Sequence, residues 1–454
     1  MTAITSPARE RRARTWTLVA TSLGFSVVQL DVSVVNVAIK PIGAALGGGV
    51  SDLQWVVSAY TVAFASFILS AGALGDRIGA KRMFVAGFGL FTLASAACGL
   101  APTLAVLISA RAIQGIGAAV LVPCSLTLLG HEFPEPAERA RAIGLWAAGA
   151  SVALSAGPLV GGVLTAGFGW RAIFFINAPI GIAGILLTLR WASETSRSTE
   201  RGIDVPGQLA AIVGLGSLAA ATIEGGNHGF TSAFVLAGYV VAAVGLVAFL
   251  VIEARTREPM LPLSLFRSRP FAAATAIGLL INIAFYGLIF VLSLYFQRAQ
   301  GFSALHAGLA FAPMTIVVMG SNILAGRLAG RIGPRPVVLA GAVLMAACLA
   351  ALLGAGTGTP YGEIVVQLMG IGFGIGLIVP VITSAVLGSV ERSRSGIAAG
   401  TLNTARQTGS AIGVALYGSL IAGGRIVAGL HVSLVISVGL ALVVAALAGP
   451  LGRD

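Results

Sequence analysis

The sequence is a succession of apolar runs about 20 residues long, separated by short polar segments, and this pattern places the chain in a membrane. A helix needs about 20 consecutive apolar residues to cross the hydrocarbon core of a bilayer. Of the 454 residues 57% are hydrophobic and only 10% are charged, whereas a soluble protein carries about 25% charged residues. The chain therefore predicts an all-α polytopic membrane protein with 14 transmembrane helices. The predicted spans are 16–39, 55–74, 83–101, 104–129, 142–166, 171–190, 205–224, 233–252, 271–296, 305–327, 337–355, 363–388, 396–421 and 431–450.

The distribution of basic residues supports this count and orients the chain. An even number of spans places both termini on one side of the membrane. With that side taken as the cytoplasm, 22 of the 28 Lys and Arg residues fall in cytoplasmic segments and two fall inside spans. Such an excess is what the positive-inside rule predicts. The four on the outer side are Lys40, Arg171, Arg298 and Arg425. The basic N-terminus precedes a long apolar run without an obvious cleavage site, so we interpret it as leading into an uncleaved first helix.

Composition excludes several classes of function. The net charge of +12 does not indicate a nucleic-acid partner, because no basic stripe is interleaved with aromatic residues. The three cysteines and four histidines show no metal-ligand or disulfide spacing. No Gly-x-x-x-x-Gly-Lys-Ser/Thr run is present, which argues against ATP-driven transport. We expect neither an enzyme nor a bound cofactor or metal.

The chain contains an internal repeat. "GALGDRIGAKR" (72–82) and "GRLAGRIGPRP" (326–336) align at an offset of 254, and glycines and a proline of the fourth and twelfth spans align at an offset of 257. Parallel repeats about an axis normal to the membrane are a transporter architecture, with the substrate path between the halves. We predict a basic cytoplasmic tail (1–15), an N-terminal six-helix bundle (16–190), two extra helices with linkers (191–270) and a C-terminal six-helix bundle (271–450).

Asp31 is the one acidic residue well inside a predicted span, while Glu224 at the end of the seventh run is ambiguous. A carboxylate at the centre of a lipid-facing helix costs roughly 2.5–3.5 kcal/mol on insertion scales. Burial favours the protonated carboxyl, and a nearby cation favours the carboxylate. A group balanced between these influences can bind and release a proton as its exposure alternates. The alternative is a fixed ion pair or hydrogen-bonded contact.

Two arginines lie inside predicted spans. Arg111 is the natural partner of Asp31, because a lone arginine at the bilayer centre must face a cavity or an acid. Gln114 follows three residues later on the same helix face. Arg406, followed by Gln407, has no acid nearby in sequence. It could bind an anionic group of a substrate or backbone carbonyls at a helix end.

The first repeated loop has two interpretations. Glycines permit a short turn between closely packed helices, and the basic residues hold the loop at an anionic membrane surface. The loop is either a topology anchor or a latch that stabilises one state of alternating access. The second copy has Gly330 in place of the acid, so such a latch is asymmetric. The candidate latch residues are Gly72, Asp76, Arg77, Gly79, Lys81 and Arg82.

The fifth span carries a Gly-Pro-x-x-Gly-Gly string. Pro158 removes a backbone hydrogen bond and allows the helix to bend. The surrounding glycines form a smooth surface for close helix packing. The residues are Gly144, Gly157, Pro158, Gly161 and Gly162.

These motifs together resemble the fourteen-helix drug:proton antiporters of the major facilitator superfamily, the EmrB/QacA type. The likeness covers nearly the whole chain. It is carried by "LDVSVVNVAIKPI" in the first span, the 72–82 loop, "RAIQGIGAA" in the fourth span, the fifth-span string, "GWRAIFFINAPIG" and "GIAAGTLNTARQTGSAIG". Lys40 stands where the family usually has leucine, and Ala153 stands where it has glycine.

The resemblance implies a fold of two six-helix bundles plus two extra helices, and proton-coupled export of amphiphilic drugs from a bacterium across its inner membrane. It carries a proton-transfer role to Arg111 and Gln114, an acid's place to Asp31 and the antiporter motif to the fifth-span glycines. Because the tenth and thirteenth spans have no acid, dicationic substrates are disfavoured. We expect protons, a small amphiphilic substrate and lipid as partners, and a monomer. The expected substrate-cavity residues are Asn36, Phe285, Tyr286, Asn403, Arg406 and Gln407.

Three other functions remain open from the sequence. The nearest is a dedicated exporter of a self-made metabolite, such as an antibiotic, siderophore or amino acid. A proton-coupled importer on the same fold is disfavoured only by the resemblance of the fifth span. A non-transporting membrane sensor or enzyme is disfavoured because no soluble segment exceeds about 20 residues.

Overall fold

A computed structural model describes residues 7–195, 204–257, 259–390 and 395–452, and these residues are almost entirely helical. Each predicted apolar run coincides with a helix, and the sixth is made of two segments separated by a turn at Ile176. The helices are α1 Pro7–Leu46, α2 Val50–Ile78, α3 Ala80–Leu100, α4 Leu104–Glu132, α5 Pro136–Phe168, α6 Ala172–Phe175 with Asn177–Trp191, α7 Val205–His228, α8 Ala233–Arg255, α9 Arg269–Leu294, α10 Ala304–Ile332, α11 Pro334–Ala351, α12 Tyr361–Gly388, α13 Ser395–Leu420 and α14 Ile426–Leu447.

Twelve of the described helices are long and apolar enough to cross a membrane. The bent α5 makes thirteen if its two parts, which meet at 42°, count as one span. The thirteenth predicted span, which is α13, does not reach that standard. It carries Asn403, Thr404, Arg406 and Gln407 within little more than one helical turn, and these polar residues lower its hydropathy. The protein is thus a multi-pass membrane protein, and the count of 14 spans stays a prediction.

The helices extend beyond the predicted spans, because helical hydrogen bonding continues past the apolar segment. The first begins at Pro7, so much of the predicted basic tail belongs to α1. There Arg14 bonds Glu138 of α5 at 3.1 Å. Some of the basic residues that oriented the chain lie outside the described residues, namely Arg197, Arg201, Arg392, Arg394 and Arg453.

The two repeated loops have the same backbone geometry. Gly79 ends α2 and precedes α3 with φ +106°, and Gly333 joins α10 to α11 with φ +84°. Each donates its N–H to the carbonyl four residues earlier, at 3.0 Å. A residue with a side chain is strained at such angles, so the two glycines make equivalent sharp turns possible in both halves.

The repeat extends to helix packing. In α4, Gly115 lies against the backbone of Tyr60 in α2, and in α12, Gly372 lies against the backbone of Met314 in α10. A Cβ at either glycine would collide with that neighbouring backbone. The α4–α2 pair and the α12–α10 pair are therefore packed in the same way, by close approach of the two helices at a glycine.

The two halves are joined tightly at the end of the bundle where the α1–α2 loop lies, here called the first-loop face. Lys40 Nζ of α1 donates to the carbonyl of Gln297 at 2.6 Å. Ser293 Oγ of α9 donates to the carbonyl of Asn36 at 2.6 Å. Gln297 Nε2 also donates to the carbonyl of Val37, at 3.2 Å. These bonds tie α1 of the N-terminal half to α9 and the segment directly after it in the C-terminal half.

Two further helix pairs close the same face. Gln54 Nε2 of α2 donates to the carbonyls of Val414 and Ala415 in α13, at 3.1 and 2.8 Å. Gly162 of α5 lies against Gly308 of α10, where an added Cβ would come within 3.3 Å of the Gly308 Cα. The first-loop face is thus sealed by direct contact between the halves.

The opposite end of the bundle, called the terminal face because α1 begins there, is less tightly closed. Every residue of 27–39 in α1 and of 281–297 in and just after α9 is buried. Nearer the terminal face, both helices alternate buried and partly exposed positions, in 18–26 and 272–280. The halves are therefore in closer contact at the first-loop face than at the terminal face.

Helices α7 and α8 form a hairpin that contacts both halves. Gln208 of α7 donates to the carbonyl of Ser66 in α2 at 2.9 Å and accepts a bond from Ser70. Further along α7, Gly226 lies against Ser419 of α13. The hairpin thus covers the seam between α2 and α13 on the outside of the bundle.

Candidate functional site

A network of polar side chains surrounds Asp31 inside the N-terminal half. Arg111 Nη1 forms an ion pair with Asp31 Oδ2, and the two side chains are 1% and 0% exposed. Gln114 Nε2 donates to Asp31 Oδ1 at 2.9 Å, while its Oε1 accepts from Arg111 at 2.8 Å. The three predicted proton-coupling residues therefore lie in one closed triangle between α1 and α4.

A fourth member of this network was missed by the sequence reasoning. Asn177 Nδ2 donates to Asp31 Oδ1 and to Ser95 Oγ, each at 3.0 Å. Ser95 in turn donates to the carbonyl of Phe174 at 2.8 Å. The signal was an amide in the apolar string "FFINAPIG", where a buried polar side chain needs a partner.

Two further contacts of Arg111 come from α2. Its Nε donates to the carbonyl of Val56 at 2.9 Å. Its guanidinium carbon lies 4.3 Å from the centre of the Tyr60 ring, a cation–π arrangement. Arg111 therefore binds a carboxylate, an amide, a carbonyl and an aromatic face, which makes a fully buried guanidinium tolerable.

The α5 glycines explain how α1 is held in place for this network. At Gly157 an added Cβ would collide with Ser33, and at Gly161 it would lie 2.7 Å from the carbonyl oxygen of Val34. Both contacts lie within one turn of Asp31. Since only glycine permits this approach, the string fixes the position of the helix segment that carries the acid.

Other members of the α5 string have different surroundings. Pro158 and Gly162 press on Gly308 of the C-terminal half. Pro158 also lies in the second of the two α5 segments that meet at 42°. Gly144 has open space around it, with no described atom within 4 Å of an added Cβ. Gly157 and Gly161 therefore contact α1, Pro158 and Gly162 contact α10, and Gly144 contacts neither helix.

The candidate latch residues of the 72–82 loop contact the N-terminal half and the segment that follows it. Gly72 lies against Pro123 of α4. Arg82 Nε lies 3.9 Å from Glu194 Oε1, with both side chains more than half exposed. Arg77 is exposed, Lys81 is partly exposed and Asp76 is half-buried. Gly79 makes the turn itself.

Arg406 lies in α13 of the C-terminal half, and its surroundings differ from those of Arg111. It is partly exposed on α13, with its Cγ 3.5 Å from the position of a Cβ on Gly278 of α9. Within the described parts of the chain, no carboxylate or other acceptor bonds its guanidinium. The hydroxyl of Tyr286 on α9 is near enough to interact electrostatically with it.

The other expected cavity residues divide into two groups. Tyr286 and Phe285 are buried on α9, with ring centres 5.5 Å apart in an edge arrangement. Asn403 is partly exposed and donates to the Ala399 carbonyl of its own helix, and Gln407 is 7% exposed. These four lie with Arg406 on α9 and α13.

Asn36 lies elsewhere. It is 2% exposed, it donates to the Val32 carbonyl of its own helix at 3.1 Å, and its own carbonyl accepts from Ser293. Asn36 is therefore part of the sealed first-loop face, and the structure does not bring it to the Arg406 group by any described hydrogen bond.

The arrangement has defined chemical capacities. Asp31 is the one described carboxyl bonded to Arg111, and it is surrounded by donors, so it can exist as a carboxylate deep in the bundle. Protonating it would remove the charge that Arg111 pairs with and one of its acceptor sites. A proton on Asp31 therefore changes the contacts between α1, α4 and α6 together.

Comparison with known proteins gives a consistent result. The family described as Major Facilitator Superfamily matches residues 21–414. The methylenomycin A resistance protein of Streptomyces coelicolor is 39% identical over 404 residues, which cover 89% of this chain and 85% of that protein. The multidrug resistance protein Stp of Mycobacterium tuberculosis is 39% identical over 414 residues, covering 90% and 76% respectively.

Among solved structures, that of the human organic anion transporter MFSD10 superposes with a TM-score of 0.67. The superposition covers 98% of this chain and 100% of that one, at 18% sequence identity. This likeness shows a shared fold.

Proposed function

The chain belongs to the major facilitator superfamily, and from that premise we propose that it exports small amphiphilic drugs or antibiotics in exchange for protons. Two relatives that are 39% identical to it carry names of drug resistance, one against methylenomycin A and one against several drugs. We assign the protein to a bacterial cell membrane with both termini in the cytoplasm, and we propose transport rather than catalysis as its activity.

The single observation that carries the proposal is the buried Asp31–Arg111 ion pair. In the proposed cycle, Asp31 binds a proton from the outer side, and the protein then releases its substrate outward. The proton leaves Asp31 toward the cytoplasm when the cavity faces inward, and Arg111 pairs with the carboxylate again. One proton moving inward through 100 mV supplies about 2.3 kcal/mol.

The contacts between the halves suggest which state the structure represents. The first-loop face is sealed and the terminal face is less closed, which fits a state that faces the cytoplasm in the proposed orientation. Substrate would enter from the terminal face, between α9 and α13 of one half and α1, α2 and α4 of the other. Rocking of the two bundles would then break the bonds of Lys40, Gln54 and Ser293.

Two motifs have proposed roles in that motion. The α5 glycine string would transmit movement of α1 to α10, since it touches both. The 72–82 loop would act as a latch in the opposite state. In the state described here, its Arg82 is within ion-pair distance of Glu194.

The proposal is tested with Asp31→Asn in everted membrane vesicles whose lumen is acidified by respiration. A pH-sensitive dye in the lumen reports proton release when a panel of amphiphilic drugs is added. Wild-type vesicles should accumulate drug and lose protons together, whereas Asp31→Asn should behave like vesicles without the protein. Asp52→Asn is the matched control, because Asp52 is exposed and bonds only the N–H of Gly49 at its helix start.

The direction of movement separates the proposed exporter from an importer. An antiporter accumulates drug inside acidified everted vesicles, whereas a proton-coupled importer would deplete it. Undiminished drug-driven proton release in Asp31→Asn, at wild-type protein levels, would remove Asp31 from the mechanism. A narrow response, to one compound of the panel, would point to a dedicated exporter.

A further inference from the structure

We propose that Arg406, together with Tyr286 and Gln407, binds a negatively charged group of the transported molecule. The substrates would then be amphiphiles that carry a carboxylate or a similar anion. This inference rests on the proposed export function and specifies its substrate class. It is built from the contacts of the C-terminal half, whose described residues contain no equivalent of the Asp31 network.

Arg406 is a cation without a described partner inside the bundle. Arg111, the other intramembrane arginine, uses its donors on Asp31, Gln114 and the Val56 carbonyl. Arg406 forms no described hydrogen bond or ion pair. A guanidinium with five unused donors is unfavourable in a membrane interior unless it faces water or a ligand. An anionic group that enters the cavity would meet this need.

The structure removes the alternative that Arg406 caps a helix end. Backbone carbonyls are free in the last turn of a helix, but α13 continues from Ser395 to Leu420, and Arg406 lies near its middle. The carbonyls around Arg406 are therefore used within the helix. The remaining role for its donors is a ligand or water.

Other polar atoms nearby are also unsatisfied. Gln407 Oε1, Ser410 Oγ and Thr275 Oγ1 have no hydrogen-bond partner among the described residues. Each of these side chains is less than 9% exposed. Gln407 and Ser410 lie within a helical turn of Arg406 on α13, and Thr275 lies one turn before Gly278 on α9. The hydroxyls of Ser410 and Thr275 can donate to an anion, and Gln407 can do so through its Nε2 amide, so a charged ligand would find further donors beside Arg406.

The position of Tyr286 places this site between the two halves. Tyr286 is within electrostatic range of Arg406 and also of Tyr60 in α2. Tyr60 in turn lies under the guanidinium of Arg111. A charged ligand at Arg406 would therefore lie near Tyr286, which is linked through Tyr60 to Arg111 and the Asp31 network. This is the location where binding of substrate and proton can influence each other.

The test uses three probes with one apolar body: 1-pyrenebutyrate, its neutral amide and the cationic 1-pyrenebutylamine. Binding is measured by fluorescence with purified protein in nanodiscs, without any proton gradient. The wild type should bind the carboxylate at least about tenfold more tightly than the amide, since a hydrogen bond to a charged group contributes about 1.5–3 kcal/mol. Because no efflux is measured, failure of this inference is separate from failure of the proposed export.

Arg406→Gln should lower the affinity for the carboxylate to that for the amide and leave the amide unchanged. Arg406→Lys should keep part of the preference, because the charge remains. Tyr286→Phe removes one hydroxyl and should weaken carboxylate binding about threefold. Arg327→Gln is the matched control, since Arg327 is exposed at the terminal face.

Two results would overturn the inference. One is a wild type that binds the carboxylate no better than the amide. The other is an Arg406→Gln protein, eluting as a single species with the wild-type melting temperature, that keeps the wild-type preference. If Arg406→Gln does not fold, Arg406→Lys and Tyr286→Phe decide the question, because undiminished preference in both contradicts the site.

Discussion

In the N-terminal half, a carboxylate, a guanidinium and two amides are joined by hydrogen bonds, whereas in the C-terminal half a guanidinium has no described partner. At the repeat offset of 257, Leu368 and Ile371 occupy the places of Arg111 and Gln114. Both are fully buried. The two halves thus repeat their loops and glycine contacts without repeating their charges. A duplicated fold can keep its packing while each copy carries different chemistry.

The largest difference in stability between variants of the two halves is expected for substitutions of Arg111 and Arg406. Arg111→Leu installs the residue found at the equivalent position 368 and leaves Asp31 buried without its cation. Breaking a buried ion pair in this way costs about 3–5 kcal/mol. Arg406→Leu removes a cation that has no described partner, so it should leave stability unchanged or slightly higher. Thermal unfolding in detergent, followed for both purified variants, measures the difference.

A double variant provides the control for this prediction. Asp31→Asn combined with Arg111→Leu should be more stable than Arg111→Leu alone, because the unpaired carboxylate is gone. Equal melting temperatures for Arg111→Leu and Arg406→Leu would show that the halves do not differ as described.

A smaller difference in stability is expected between substitutions of Asn177 and Asn403. Asn177→Ala removes a donor from Asp31 and leaves Ser95 without its amide partner, at a cost of about 1.5–3 kcal/mol for a bond to a charged group. Asn403→Ala removes only a bond to the Ala399 carbonyl of its own helix. We expect a lower melting temperature and impaired efflux for Asn177→Ala. Asn403→Ala should keep wild-type stability, and a loss as large as that of Asn177→Ala would argue against the distinct role of the N-terminal network.

The smallest effect is expected in the two repeated loops. Arg82→Ala breaks an ion pair of 3.9 Å between side chains that are 57% and 53% exposed. Exposed pairs contribute about 0–1 kcal/mol, so its melting temperature should match that of Arg331→Ala in the second loop. If the first loop alone is a latch, the two variants should differ in drug efflux rate, and Arg82→Ala should be the slower of the two. Equal rates in both variants would favour a loop that serves only as a topology anchor.

Sequence reasoning could predict much of this fold because its signals are local. Apolar runs of 20 residues specify helices, and a glycine at a fixed place in both loops indicates an equivalent turn. The approach of Arg111 to Asp31 was also predictable, since a cation and an acid inside two spans of the same half stabilise each other. The roles of these residues in proton coupling stay predictions.

Other long-range contacts were not predictable from one sequence. Asn177 is 146 residues from Asp31, and no periodicity marks it as a partner. The seal at the first-loop face depends on bonds to backbone carbonyls, which have no sequence signature. Asn36 was expected in the substrate cavity because it is a polar residue near Asp31, yet its carbonyl belongs to that seal. The placement of the α7–α8 hairpin over the α2–α13 seam could likewise not be predicted from its composition.

The carbonyl acceptors of the seal have a consequence for how the protein opens. Lys40, Gln54 and Ser293 all donate to main-chain oxygens of the opposite half. When the halves separate, the side-chain donors of Lys40, Gln54 and Ser293 lose these acceptors, and water is the acceptor at hand. Opening and wetting are thus one event. Osmolytes too large to enter the gap should hold the two bundles together, so we expect the rate of opening to fall as osmotic pressure rises.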